Sequence, residues 1–301
     1  MEIEIKTIED YINAIELIKK TENNTSLWFR GQNRSYYDLQ PSLLRHSIQV
    51  ANQFGELTDF ETPNYYFGHG QTVLVPSITA LLDRFKDYCN HNSVEVANPK
   101  NDLEWYFIAQ HYGLPTTLLD WTEDPMIALF FAIHNSDPAD SNVNVFLCSP
   151  NNLNHELTMG IIKQIFDEPI QVTNASLNFL LSYIDKDADC PYLPICIKPS
   201  LQNYRIVKQS GNFIMHGSNF QPLNLQPFGE KFHRIWIKNS NFKYFEKALS
   251  ILQITEQVIY GNKTHIDDAT KKIKEEVQVL FYKYVEDLGK NNQKKQISIL
   301  N

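Results

Sequence analysis

Three separated stretches carry side chains with more to offer than packing. The first is Trp28-Phe29-Arg30-Gly31-Gln32. An arginine at the end of a strand presents a planar fork of donors, suited to a phosphate or carboxylate. The glycine after it lets a planar ligand approach the main chain closely. The second stretch runs from Gln110 to Thr122 and packs the hydroxyls of Thr116, Thr117 and Thr122, the carboxylate of Asp120 and the indole of Trp121 into thirteen residues. The third is Arg205 to Phe213, where strand alternation puts Arg205, Val207 and Gln209 on one face. Gln209 can both donate and accept hydrogen bonds. If the fold brings them together, Arg30, Thr117, Asp120 and Gln209 form one polar ligand site.

Each stretch also has a plainer reading. Arg30 could pair with a core carboxylate beside a turn glycine. Thr117, Asp120 and Thr122 could do no more than satisfy a turn and the helix start behind it. Gln209 could bind backbone in a hairpin that bulges at Gly211. Composition adds one hint. Arginine is scarce, six of the 27 basic residues, yet Arg30, Arg34 and Arg45 fall within 16 positions.

Several chemistries are excluded by spacing. Asp185, Asp187 and Asp189 imitate the start of a calcium loop, but Cys190 and Cys196 stand where glycine and glutamate belong. There is no GxxxxGK[ST], no GxGxxG, no GxSxG and no zincin histidine pair. No metal site is expected. None of the four cysteines is in a CxxC spacing, so no disulfide framework is expected and reduced thiols in cytoplasm are the default. The net charge of −8 argues against avid, non-specific binding to nucleic acid or anionic membrane. No apolar run approaches the roughly 18 residues of a membrane span. Residues 1–6 do not read as a secretory signal.

The elements that must position these residues are legible in part. Thr7 and Asp10 have capping-box spacing ahead of a helix with Ile8, Tyr11, Ile12, Ile15 and Ile18 at helical period. A strand over Ser26–Phe29 leads into Arg30, and a helix over residues 76–90 follows an irregular segment at 50–75. Asn101 or Asp102 caps a helix that Gly113 and Pro115 end. Thr116 to Glu123 reads as a tight polar turn. Asp124 then caps a helix with Pro125 at its first position, and Met126 to His134 is apolar all round, so that helix is buried. Strands are expected at Val143–Cys148, Leu193–Ile197, Arg205–Lys208, Phe213–Met215 and Ile235–Ile237, the third and fourth as a hairpin. Residues 150–190 read as a helical insertion. Ser240 would cap a helix, and a last one runs over 265–288. The fold class is α+β, with a central mixed or antiparallel sheet flanked by helices. One domain is expected over 1–289, its core at 8–275, with insertions near 50–75 and 150–190 and a polar tail at 290–301.

Taken together, Phe29-Arg30-Gly31, the run His111 to Thr122 ahead of a buried helix, Arg205 to Phe213, and a closing segment at 259–273 resemble the FRG domain family, across about residues 8–275. The resemblance implies a bacterial phage-defence or toxin-type effector. At fold level it extends to ADP-ribosyltransferases of the Arg-Ser-Glu type. That implies NAD as co-substrate and either ADP-ribose transfer or NAD hydrolysis. Arg30 would hold an NAD phosphate or ribose, the Gly31 backbone the nicotinamide amide, Thr116 and Thr117 would shape the pocket, and Trp121 would pack on a ring. Gln209 takes the place of the catalytic glutamate, but an amide is neither a base nor a charge, so Asp120 or Glu230 would have to supply one. Two readings stand beside this: a non-catalytic module binding a nucleotide or phage ligand, and a scaffold whose function lies in 50–75 or 150–190 against a protein partner.

Overall fold

A computed structural model of the protein describes residues 1–46, 48–51, 72–74, 77–94, 96, 98–137, 139, 142–158, 166–184, 191, 193–199, 209–217, 219, 221–260 and 266–300. Ten strands are described: β1 (Glu2–Ile5), β2 (Trp28–Gln32), β3 (Ile48–Ala51), β4 (Thr72–Leu74), β5 (Leu118–Thr122), β6 (Asn142–Cys148), β7 (Ile170–Gln171), β8 (Ile195–Lys198), β9 (Gly211–Met215) and β10 (His233–Lys238). The helices are α1 (Ile8–Thr21), α2 (Ile78–His91), α3 (Asp102–His111), α4 (Pro125–Ile133), α5 (Pro150–Thr158), α6 (Asn174–Leu181), α7 (Phe242–Ile251), α8 (Glu256–Tyr260) and α9 (Ile266–Leu300).

Eight strands form one sheet in the order β1-β10-β6-β2-β5-β9-β8-β7, and β3 pairs with β4 apart from it. The outer pairs β1–β10 and β7–β8 are parallel and the ladders between them antiparallel. The α+β class expected from the sequence, with a mixed central sheet and flanking helices, is the one found.

Both faces of the sheet are covered, because its strands carry apolar residues on both sides. On one face two helical groups stand side by side. Tyr11, Ala14 and Ile18 of α1, Ala128, Leu129 and Ala132 of α4, and Phe245 of α7 pack on Phe29, Val145 and Ile235. Next to them, α2, α3, α6 and α9 pack on Leu118, Ile195, Ile197, Phe213 and Met215. On the opposite face Trp28, Trp121, Phe146, Ile214, Phe228 and Phe232 form a third cluster under α5. The alternation Trp28/Phe29 and Leu118/Leu119 is what divides these residues between the faces.

Local signals fix the helix starts. The Thr7 hydroxyl accepts from the Asp10 N–H at 3.1 Å and the Asp10 carboxylate accepts from the Thr7 N–H at 3.0 Å, a reciprocal cap. Asn101 caps α3, and Asp124 caps α4 by accepting from the N–H groups of Met126 (2.8 Å) and Ile127 (3.3 Å).

Several expectations are corrected. Thr116 to Glu123 is not a tight turn: Leu118–Thr122 is the strand β5, paired with β9 along its whole length. Its hydroxyls and carboxylate suggest turn chemistry, but Leu118, Leu119 and Trp121 place apolar groups on both faces, and the ladder takes the main chain. Residues 2–5 form β1, an edge strand the alternating charges concealed. The segment at 150–190 is not purely helical, since β7 extends the central sheet. The α7 helix starts after a 3-10 turn over Asn239–Asn241, with Asn241 and not Ser240 at the cap position. The last helix continues past Gly289 to Leu300; one glycine costs only about 1 kcal/mol in a helix interior. The expected strand at 205–208, most of the irregular segment at 50–75 and residues 261–265 of the closing segment lie outside the described residues. Among the described residues no helix is long and apolar enough to cross a membrane.

Candidate functional site at a parted seam

The centre of the sheet is not continuous. β2 pairs with β6 at five positions, Trp28 to Gln32, and β5 pairs with β9 at five, Leu118 to Thr122. Between β2 and β5 a single pair holds, Phe29 with Thr122. Beyond it the strands part, and a cleft of about 400 Å³ opens there between the C-terminal ends of α3 and α4. That volume lies in the range of small-molecule sites. Its walls are aromatic, with Phe29, Phe107, Phe131, Phe213 and Tyr260, and its polar groups include Arg30, Asp120 and Gln209. Three side chains that the sequence scatters over 180 positions thus meet in one hollow.

Arg30 bridges the parting. Its Nη1 donates to the Asp120 carbonyl at 2.6 Å, taking up a main-chain acceptor that no β2 partner reaches. The same nitrogen lies 3.9 Å from Asp120 Oδ2, a loose ion pair. The side chain is 18% exposed. Burial pulls its pKa down to about 10; Asp120 opposes that shift and Arg45 adds to it. The guanidinium is therefore charged at neutral pH but poorly solvated, and its Nε is buried with no hydrogen-bond partner among the described residues. Arg45 donates to the Gln40 carbonyl and Arg34 to those of Asn33 and Asn135, so these two forks serve main chain.

Asp120 is the carboxylate of the cleft, its side chain 67% exposed. Oδ1 accepts from Gln110 Nε2 at 2.6 Å. Gln209 sits in the turn before β9. Its carbonyl accepts from the Thr122 hydroxyl at 2.6 Å, and its own Nε2 is buried without a partner among the described residues. A buried donor left over beside a cleft is a group a ligand can satisfy.

The remaining expected residues are placed differently. Gly31 lines the cleft, but its reason for being glycine is α4: an added Cβ would stand 2.0 Å from the Ala128 oxygen and 2.6 Å from the Ala132 nitrogen. Thr116 and Thr117 do not line it. Both are fully buried. The Thr117 N–H donates to the Tyr106 hydroxyl at 2.6 Å, and the two hydroxyls lie 3.0 Å apart. Trp121 touches the cleft, yet its indole is 2% exposed and stacks on Phe232 at 5.9 Å in the opposite core. Strand alternation turns it away from Asp120, so it offers no ring face to a ligand. Glu230 lies in a 3-10 turn and is not in the cleft wall.

Residues the sequence reading did not single out also line the cleft, among them Gln110, Asn33, His134 and Asn135. Asn33 Nδ2 donates to the His134 and Asn135 carbonyls at 3.3 and 3.2 Å, tying the chain after β2 to the end of α4. Gln110 had one usable signal: it lies in the last turn of α3, just ahead of the Gly113 stop. Among the described residues no cluster of three or more histidine, cysteine, aspartate or glutamate side chains could hold a metal ion.

The α+β sheet, parted at its centre, thus carries a cleft lined by an arginine, a carboxylate and an amide between its flanking helices. Residues 25–141, which hold β2, α3, β5 and α4, match the family model of the FRG domain. Gln209 and Tyr260 complete the cleft from beyond the matched span. No curated protein and no solved structure matches the chain.

Proposed function

We propose that the cleft binds NAD through its nicotinamide–ribose end and that the protein breaks the bond between them, passing ADP-ribose to an acceptor or to water. The convergence of Arg30, Asp120 and Gln209 on one aromatic-walled cleft carries this reading. A poorly solvated guanidinium attracts a phosphate. Phe131 and Tyr260, half-buried in the cleft wall and meeting edge to face at 6.2 Å, offer apolar surface to a flat ring. In the reaction the C1′–N bond breaks with its electron pair going to the ring nitrogen of nicotinamide. Positive charge develops at C1′, where Asp120 supplies the negative charge that Gln209 lacks. The attacking hydroxyl or side chain then bonds to C1′ and releases its proton. No metal enters the scheme. Cys89, Cys148 and Cys196 are free and buried, which fits a cytoplasmic protein. A role as a phage-defence or toxin-type effector, with a protein as one possible class of acceptor, follows from the family resemblance.

A second reading has its own support. Gln209 is neutral and the donors at Arg30 Nε and Gln209 Nε2 are unspent among the described residues, as in a site that holds a nucleotide without altering it. Nicotinamide release and NAD-induced thermal shift, measured side by side, separate the two. Catalysis requires release by the wild-type protein and a loss of about 100-fold in Asp120→Asn with the thermal shift retained. A shift without release identifies a binding module. Neither shift nor release rejects NAD as the ligand.

A further inference from the structure

Gln110 and Thr116 form a chain of hydrogen bonds that ends on the cleft carboxylate. The Thr116 hydroxyl accepts from the Leu118 N–H at 3.2 Å and donates to Gln110 Oε1 at 2.6 Å. Gln110 Nε2 then donates to Asp120 Oδ1 at 2.6 Å. The order of atoms is dictated by what each group can do. An aspartate carboxylate offers only acceptors, so the amide must turn its NH₂ toward it. That leaves Oε1 for the hydroxyl, whose single hydrogen has no other use once its oxygen has taken the Leu118 N–H. Thr116 itself cannot move: its N–H donates to the Ser42 hydroxyl at 3.2 Å, its carbonyl accepts from the Leu43 N–H at 3.1 Å, and its side chain is fully buried.

Asp120 needs such a brace. Its side chain is two-thirds exposed and on the open side of β5, its one ion-pair partner among the described residues is 3.9 Å away, and Arg30 spends its short bond on the carbonyl. Without Gln110 the carboxylate would rotate freely. With it, Oδ1 is fixed and Oδ2 is left to the cleft.

We infer that Gln110, oriented by Thr116, is the positioning residue that aims Asp120 Oδ2 at the reacting carbon. This rests on the reading of the cleft as an NAD-cleaving site. It also gives the buried Thr116 an indirect part in that site.

Two measurements test it. In steady-state assays of nicotinamide release, Gln110→Met and Thr116→Val should each lower kcat roughly tenfold with KM changed less than about twofold, and Thr116→Ser should restore the rate. Unchanged kcat in Gln110→Met overturns the inference. The second measurement needs no turnover. In protein labelled with ¹⁵N at glutamine, the side-chain amide pair that disappears in Gln110→Met should exchange slowly with solvent in the wild type. It should exchange at the rate of a free amide in Thr116→Val and slowly again in Thr116→Ser. A pair already fast in the wild type, or indifferent to Thr116→Val, overturns the relay whether or not NAD is cleaved. Slow exchange with no turnover leaves the relay standing and rejects the reaction instead. If Thr116→Val does not fold, the Gln110→Met kinetics and the wild-type exchange rate still decide.

Discussion

The two edges of β5 have opposite fates. Along one, every residue from Leu118 to Thr122 is paired with β9 and the strand is ordinary sheet. Along the other, only Thr122 meets β2, at Phe29, and the next acceptor, the Asp120 carbonyl, is taken by Arg30. A closed ladder satisfies its own main chain and leaves no room. A parted one must borrow donors from side chains, and the space that opens is where a ligand fits. The candidate site therefore sits on the edge where pairing stops, and Arg30 is there both to close a main-chain account and to present charge.

The comparison can be broken or sharpened by mutation. The largest effect is expected from Gly31→Ala. Its Cβ would collide with the main chain of α4 at 2.0 and 2.6 Å, and backbone cannot yield as a side chain does. Chemical denaturation should show a loss of about 4 kcal/mol or more, or no folded protein. Near-wild-type stability would mean α4 is not what holds β2 on its side of the parting. A smaller loss is expected from Thr122→Val at the one pair that joins the two strands. It deletes the bond to the Gln209 carbonyl at 2.6 Å and the acceptor for the Asp124 N–H at 3.0 Å, in a residue 5% exposed. Denaturant midpoints should fall by the equivalent of about 1–2 kcal/mol.

The smallest change in stability is expected from Arg30→Met, and it is the sharpest test. Removing the guanidinium orphans the Asp120 carbonyl but also relieves a charge that burial has pulled down to about 10. The two effects oppose, and the carbonyl borders a cleft that water can enter. Stability should change by no more than about 1 kcal/mol while any NAD-induced thermal shift disappears. A loss of several kcal/mol would make Arg30 a strut of the seam and not a ligand-binding group.

Much of the site was legible as residue types. Phe29-Arg30-Gly31, Asp120 and Gln209 were identifiable as chemistry, and all of them reach the cleft. Thr116 and Thr117 looked equivalent, yet one hydroxyl ends a relay to Asp120 and the other meets Tyr106. Trp121 looked like a stacking platform and is core. Gln110 carried no signal beyond its place near the end of a helix.

By itself, the sequence determined what depends on neighbours in the chain. The Thr7, Asn101 and Asp124 caps, the all-round apolar α4 and the alternation along β6 follow from hydrogen bonds and periodicities that span a few residues. The tertiary structure decided which strands lie side by side and where two of them part. Strand alternation says which residues share a face, but not which strand comes next or how far a ladder runs, because those are set by contacts between residues such as Arg30 and Asp120, 90 positions apart. Whether Asp120 faces solvent and Trp121 the core was settled only when β5 joined β9 on one side and left β2 on the other.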